Sequence, residues 1–312
     1  MKIVFLGSAH FAQVSLARLA RTEHSIACVV TQKDKKQDRG MSVRPTPVKA
    51  YALENGLSVY QPEDINSPDA AARLASYGAD VFVVIAYGQK LSQRLLDMPA
   101  MMAVNIHASL LPKYRGAAPI NWALVNGERE TGVTAMKMVQ KMDAGPVILQ
   151  KRVAIAPADT AETLERALAL QGAELLVETL DLLSSKQAVL LEQDERLASH
   201  APKLKKTDGS IDWSLPAQQI IDRVRGCQPW PGAFTYYKGK LLKIFALHRS
   251  LLDAGGAVPG EVAVVSKHEL LVTCGDGLLA LDRVQAEGGT SMPVTEFIAG
   301  HKVCAGEKFL LH

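Results

Sequence analysis

The sequence predicts two domains of different class: an α/β domain built on a parallel-rich sheet, followed by a small all-β barrel. Three observations carry this. The chain has 312 residues, and two domains are the natural division of that length. Its first part alternates apolar runs with stretches of helical spacing, as strands joined by crossover helices do. Beyond Pro231 the pattern changes to short alternating runs separated by Gly and Lys turns, as in a small barrel.

In chain order, residues 2–6 (KIVFL) form an apolar strand, and Gly7-Ser8 turns into helical spacing from Phe11 to Leu19. A second strand follows at Ser25 to Thr31, so the opening is Rossmann-like. Its turn reads G-S-A-H-F-A and lacks the further glycines that a dinucleotide pyrophosphate needs for close backbone approach, which argues against a nicotinamide cofactor. Gln32 to Pro47 is polar, charged and punctuated by proline, and reads as a long surface loop. Val48 to Glu54 reads as a helix, Ser58 to Tyr60 as a short strand and Ala70 to Tyr77 as a helix. Asp80 to Tyr87 (DVFVVIAY) is almost wholly apolar, as expected of a strand buried on both faces.

The next strand, Ala103 to His107, is followed by helical periodicity from Ala117 to Asn126. Val133 to Met138 and Val147 to Ile155 are strands expected near the sheet edge. Asp159-Thr160 starts one or two amphipathic helices that close a first domain spanning 1–189. Residues 190–206 lack periodicity and read as a linker. The second domain, 207–312, opens with a short helix from Ala217 to Cys227. Its strands fall at 233–237, 241–246, 260–265, 270–273 and 278–284, giving an OB-like barrel.

Hydrophobic content of 48% and charged content of 21% describe an ordinary globular chain. It has no apolar run of about 18 residues, so no membrane span is expected. The N-terminal apolar run is broken by Gly7, Ser8 and His10, which suits a strand better than a leader peptide. The four cysteines are far apart, with no C-x-x-C pair. They imply no metal site or disulfide framework, in keeping with a reducing cytoplasm.

The run from Ala103 to Ile148 carries the chemistry. In an extended strand Asn105 and His107 project side by side, since residues two apart share a face. Asp143 follows downstream beside small turn-formers. Taken singly, Asn105 reads as a turn cap, His107 as a satisfied core histidine and Asp143 as a loop residue. Together they supply an amide to donate to a developing oxyanion, an imidazole to shuttle a proton and a carboxylate to orient it, a sufficient kit for acyl transfer.

The order N-x-H-x-S-L-L-P-x-x-R-G, then A-P-I, E-T-G-V-T and D-x-G, resembles the folate-dependent formyltransferases. That group includes enzymes acting on glycinamide ribonucleotide, sugar amines and methionyl-tRNA. The resemblance implies a Rossmann-like formyltransferase domain in which an acceptor amine attacks the carbonyl of 10-formyltetrahydrofolate. It implies that Asn105 and protonated His107 stabilise the oxyanion, while Asp143 pairs with His107 and manages protons through a water. It places Leu110, Leu111 and Pro112 as an apolar wall and backbone groups against the pterin, with Ser109 also among the folate-binding residues and no metal. No Ser or Cys elbow is evident, and the chemistry requires no covalent nucleophile.

Three further stretches resemble the branch that formylates methionyl-initiator tRNA. They are Arg44 to Lys49 at the loop exit, QDERLASHAPKLKK from Gln193 to Lys206, and GCQPWPGAFT from Gly226 to Thr235. In that branch the loop wedges toward the first base pair of the tRNA, and its arginine matches Arg39. Arg39, Arg44, Lys203, Lys205 and Lys206 are therefore the tRNA-binding candidates. Lys203 to Arg249 holds nine Lys/Arg against three Asp, a local +6 that suits either a polyanion or a solvated face.

The chain departs from the family at its first turn, G-S-A-H-F-A for the usual G-T-P-x-F-A, and at Met41-Ser42-Val43 where lysines are common. The expected protein is a monomeric cytoplasmic enzyme. Its rivals are a sugar-amine formyltransferase with the same trio, and an RNA-binding module with a degenerate catalytic domain.

Overall fold

The computed structural model describes residues 1–37, 42–253, 256 and 258–310. Contacts divide the chain into two compact units. One comprises Met1–Pro119, Glu130–Ala154 and Glu165–Ala201; the other comprises Ile120–Arg129, Ile155–Leu164 and Pro202–His312.

The first unit opens with β1 (Lys2–Gly7), α1 (His10–Leu19) and β2 (Ser25–Val30). The segment read as a loop then contains a hairpin, β3 (Lys35–Gln37) and β4 (Ser42–Arg44), paired Lys35 to Arg44 through Gln37 to Ser42. Its sequence has no apolar alternation to announce it. α2 (Pro47–Glu54) starts where Thr46 accepts the Lys49 N–H at 3.1 Å, with proline at the first helical position. β5 (Val59–Tyr60) leads to α3 (Pro68–Ser76), capped in the same way by Ser67, with Asp69 in its first turn and Arg73 in its last, each complementing the helix dipole.

Next come β6 (Val81–Ile85), a short α4 (Gln93–Leu96), β7 (Met102–His107), β8 (Arg115–Gly116), β9 (Glu130–Lys137) and β10 (Val147–Ala154); the intervening α5 (Pro119–Val125) belongs, beyond Pro119, to the other unit. α6 (Ala161–Ser184) is a single 24-residue helix rather than two. At Thr160 the side chain accepts the Thr163 N–H at 3.3 Å, which is the start the sequence predicts. β11 (His200–Ala201) ends the unit and pairs in parallel with β8.

The main sheet runs β10-β9-β7-β6-β1-β2-β5, parallel from β7 to β5, with β9 and β10 antiparallel at one edge. All five residues of β6 are buried, as its sequence requires. Strand order reverses at β1, and β7 points its carboxyl end toward the same side as that switch point, where such sheets bind ligands. Gly172 lets α6 approach closely: a Cβ there would lie 3.1 Å from Ile106 and 3.2 Å from Phe11. Glycine in a helix interior costs roughly 1 kcal/mol. Here it lets α6 pack on the Ile106 side of β7, so Asn105 and His107 face the other way.

The second unit contains α7 (Ala217–Gly226), β12 (Ala233–Tyr237), β13 (Lys240–Arg249), β14 (Val262–Val265), β15 (Leu270–Cys274), β16 (Gly277–Ala286), β17 (Met292–Pro293), α8 (Val294–His301) and β18 (Phe309–Leu310). Its sheet runs β14-β15-β16-β13-β12-β18. The Phe309 N–H donates to the Gly260 carbonyl at 2.7 Å, and the Val262 N–H to the Glu307 carbonyl at 2.8 Å. The last strand thus ties the two ends of the sheet into a barrel. Trp213 stacks on Phe309 inside it, centroids 5.9 Å apart, and donates from Nε1 to Thr235 at 3.1 Å.

Candidate functional site

The site is built on the carboxyl end of β7. The Asn105 Nδ2 donates to the Val84 carbonyl at 2.8 Å. A carbonyl only accepts, so the amide nitrogen must face it, and the other face of the amide is fixed in turn. One Nδ2–H and Oδ1 remain; Oδ1 is buried and has no partner among the described residues. His107 is buried, and its Nε2 lies 3.0 Å from the Tyr114 carbonyl. The same argument puts a proton on Nε2, so Nδ1 is the nitrogen turned toward Asp143. Its distance to Asp143 Oδ2 is 3.8 Å, within Coulombic reach but longer than a hydrogen bond.

Asp143 reaches His107 from the loop between β9 and β10, with φ at +50°. Asp is among the few side chains that tolerate the left-handed region. Its Oδ2 accepts the Gly116 N–H at 2.9 Å. Gly145 explains the D-x-G spacing: a Cβ there would lie 1.9 Å from the Lys137 carbonyl, so only glycine lets the loop close on β9. Gly116 is constrained likewise, with φ at +126° and the Ala201 carbonyl 2.5 Å from any added Cβ.

The backbone around Asp143 is held from the segment read as a linker. Gln193 Nε2 donates to the carbonyls of Asp143 at 2.9 Å and Gly145 at 2.7 Å. Its Oε1 accepts from Arg115 Nε at 3.0 Å and Nη2 at 2.7 Å. The Arg115 side chain is 2% exposed, and its remaining donors reach Glu195 at 3.1 and 3.0 Å. Hydrogen bonds from Arg115 first, then Lys141, hold the Glu195 carboxyl down at about 2, so it stays ionised well below neutral pH.

The S-L-L-P turn is packed into the unit. The Ser109 hydroxyl donates to the Lys113 carbonyl, and Thr134 Oγ1 accepts the Leu111 N–H while donating to the Ser109 carbonyl. Ser109 and Leu111 are buried, Leu110 lies against Gly132, and Pro112 is half-buried. Of the basic candidates, Arg44 on β4 is exposed in the first unit, and Lys203, Lys205 and Lys206 are exposed around the buried Leu204 in the second. Arg39 lies outside the described residues.

The structure therefore brings His107 and Asp143 together and sets Asn105 beside them on the strand. Arg115 stands in the R-G of the motif and Gln193 at the head of the QDER stretch, but no local pattern announces their contact, since 78 residues separate them.

Residues 1–180 match the family model described as formyl transferase, and residues 203–302 match its C-terminal domain. The chain is 44% identical to a methionyl-tRNA formyltransferase of Caldanaerobacter subterraneus, over 98% of this chain and 99% of that one. It is 41% identical to another from Geobacter sulfurreducens, over 99% and 96% respectively. Among solved structures it resembles HypX from Aquifex aeolicus in complex with tetrahydrofolic acid, with a TM-score of 0.66 and 19% identity over 99% of this chain and 48% of that one. It also resembles an N-formyltransferase from Helicobacter canadensis in complex with folinic acid and dTDP-3-aminofucose, with a TM-score of 0.67 and 17% identity over 90% and 98%. Those two likenesses are likenesses of fold. The chain belongs to the formyl transferase family.

Proposed function

We propose that this formyl transferase moves the formyl group of 10-formyltetrahydrofolate to the α-amine of methionyl-initiator tRNA, giving the N-formylated product used in translation initiation. The observation that carries the chemistry is the His107–Asp143 pair beside Asn105 at the carboxyl end of β7. The acceptor rests on the relatives: identity of 41–44% runs through both domains and nearly the whole length of proteins named for methionyl-tRNA.

In this reading the free amine attacks the formyl carbon, a C–N bond forms, and the carbonyl electrons move onto oxygen. The second Nδ2–H of Asn105 and, in its protonated form, the Nδ1–H of His107 are the donors for that oxyanion. Donors fixed before the reaction stabilise developing charge without reorganising. The unpartnered Oδ1 of Asn105 accepts an N–H of the attacking amine, aligning its lone pair. Asp143 takes up the amine's proton, directly or through a water, and passes it on to N10. The carbonyl re-forms as the C–N10 bond breaks, and tetrahydrofolate leaves carrying that proton on N10.

Ser109 and Leu111 are buried and act by shaping the turn. Leu110 and Pro112, each with some surface, are the members of that turn we assign to the pterin. Residues 1–189 would carry catalysis, 190–206 link, and 207–312 hold the tRNA, with Arg39, Arg44, Lys203, Lys205 and Lys206 meeting phosphates. All three reacting side chains come from one chain, so a monomer suffices. The reading places the enzyme in the cytoplasm, with the charged tRNA it would act on.

The test supplies 10-formyltetrahydrofolate with methionyl-initiator tRNA or with amino-sugar nucleotides and follows the formyl group. Formyl-methionyl-tRNA is the expected product. A formylated sugar beside untouched tRNA would transfer the reading to the sugar-amine branch, and a bound tRNA with no transfer would leave an RNA-binding module.

A further inference from the structure

We propose that Gln193 is the positioning residue for Asp143, and that Arg115 sets its plane. The inference rests on the catalytic reading above and adds a residue that stands outside the reacting trio.

Asp143 lies in a loop that is exposed at Lys141 and Met142, with φ at +50°, and its carboxylate accepts the Gly116 N–H. Gln193 spans the turn, bonding the carbonyls of Asp143 and Gly145 with the two protons of one planar amide. A two-point hold fixes orientation as well as position, which a single bond does not. The amide cannot flip: Oε1 faces only the donors of Arg115, and Nε2 faces only carbonyl acceptors. Arg115 is buried and planar, so it locks that amide as a lysine, a single mobile charge, would not.

The same stretch of chain also supports the imidazole. Ser199 Oγ accepts the Tyr114 N–H at 2.9 Å and its carbonyl accepts the Arg115 N–H at 2.8 Å, while the Tyr114 carbonyl holds His107. Residues 193–199 thus brace both partners of the His107–Asp143 pair. The Lys141–Glu195 contact is a second tether to the loop, but both side chains are well exposed, so it contributes little.

The experiment compares single-turnover formylation by the full chain with Gln193→Ala, Gln193→Glu, Asp143→Ala and the Gln193→Ala/Asp143→Ala double variant. Alongside it, amide hydrogen exchange is followed at residues 141–146 and at Gly116, whose N–H reports the Asp143 carboxylate. Misplacing a reacting group by about an ångström costs on the order of 100-fold, so Gln193→Ala should slow the chemical step by about 10- to 100-fold, with KM for both substrates within about threefold. Exchange should rise at 141–146 and Gly116 while Tm stays near wild type. Gln193→Glu keeps the acceptor for Arg115 but sets a carboxylate oxygen against two carbonyls, so it should be no faster than Gln193→Ala. In the Asp143→Ala background the loss should vanish, because a residue that acts through Asp143 has nothing left to position.

Wild-type rates in Gln193→Glu, losses that multiply in the double variant, or unchanged exchange at Gly116 would each overturn the inference. A wild-type protein that formylates neither acceptor would overturn the functional reading instead, and the exchange data would still decide whether Gln193 holds the loop.

Discussion

The two halves of the site are held in different ways. Asn105 and His107 sit on β7, a central strand paired on both sides and covered by α6, so the pleat alone sets their direction. Asp143 sits in a loop with φ at +50°, held by Gly145 below it and by Gln193 and Arg115 from a distant part of the chain. A strand-borne residue depends on the sheet, and the sheet is stable. A loop-borne residue depends on a few side-chain bonds, so its geometry is more easily lost and more easily tuned. Substitutions on the strand side should remove chemistry outright, whereas those on the loop side should degrade it by degrees.

The largest effect is expected at His107→Ala. Loss of an oxyanion donor costs about 100- to 1,000-fold, and the single-turnover rate should fall in that range while tRNA affinity changes little. A matching loss of affinity would mean His107 binds rather than reacts. Gly145→Ala comes next: the added methyl would overlap the Lys137 carbonyl, so the loop must move off β9 and carry Asp143 with it. Turnover should fall by about 100-fold with folate affinity retained, and a rate near wild type would show that Asp143 tolerates displacement. Smaller again is the combined change of Lys203, Lys205 and Lys206 to Ala. Each phosphate contact contributes roughly 0.7–0.9 to the slope of log affinity against log salt, so the slope for tRNA should flatten by about 2 with the chemical rate unchanged. An unaltered slope would remove these lysines from the interface.

The same contrast governs what could be read from the sequence. β6 and β7 announce themselves through apolar continuity and the alternation that pairs Asn105 with His107, whereas α2 and α3 begin at Pro47 and Pro68, ahead of the Val48 and Ala70 that the sequence suggests, because Thr46 and Ser67 cap them. D-x-G and R-G could be seen as motifs, but the reason for their glycines lies in the carbonyls of Lys137 and Ala201, which only the folded chain brings near. The β3–β4 hairpin was hidden because its polar residues show no period. Helix α8 and strand β18 lie past the runs whose alternation marks the barrel strands. S-L-L-P is legible as a ligand wall with backbone groups, but that Ser109 and Leu111 also pack inside the turn shows only in the fold. Gln193 heads the QDER stretch that carries part of the family resemblance, but its role could not be read there: it consists of contacts with Arg115 and with the backbone of Asp143, and a stretch without periodicity signals neither.

One substitution isolates the central claim, that the Asp143 carboxylate performs chemistry beside His107. Asp143→Asn is nearly isosteric, tolerates positive φ and can still accept the Gly116 N–H, so it removes the charge and the basic oxygen while leaving the loop in place. The measurement is the single-turnover rate of formyl transfer to methionyl-initiator tRNA. The rate should fall by about 100-fold or more with folate and tRNA affinities intact. A rate within about threefold of wild type would contradict that claim and reduce Asp143 to a structural member of its loop.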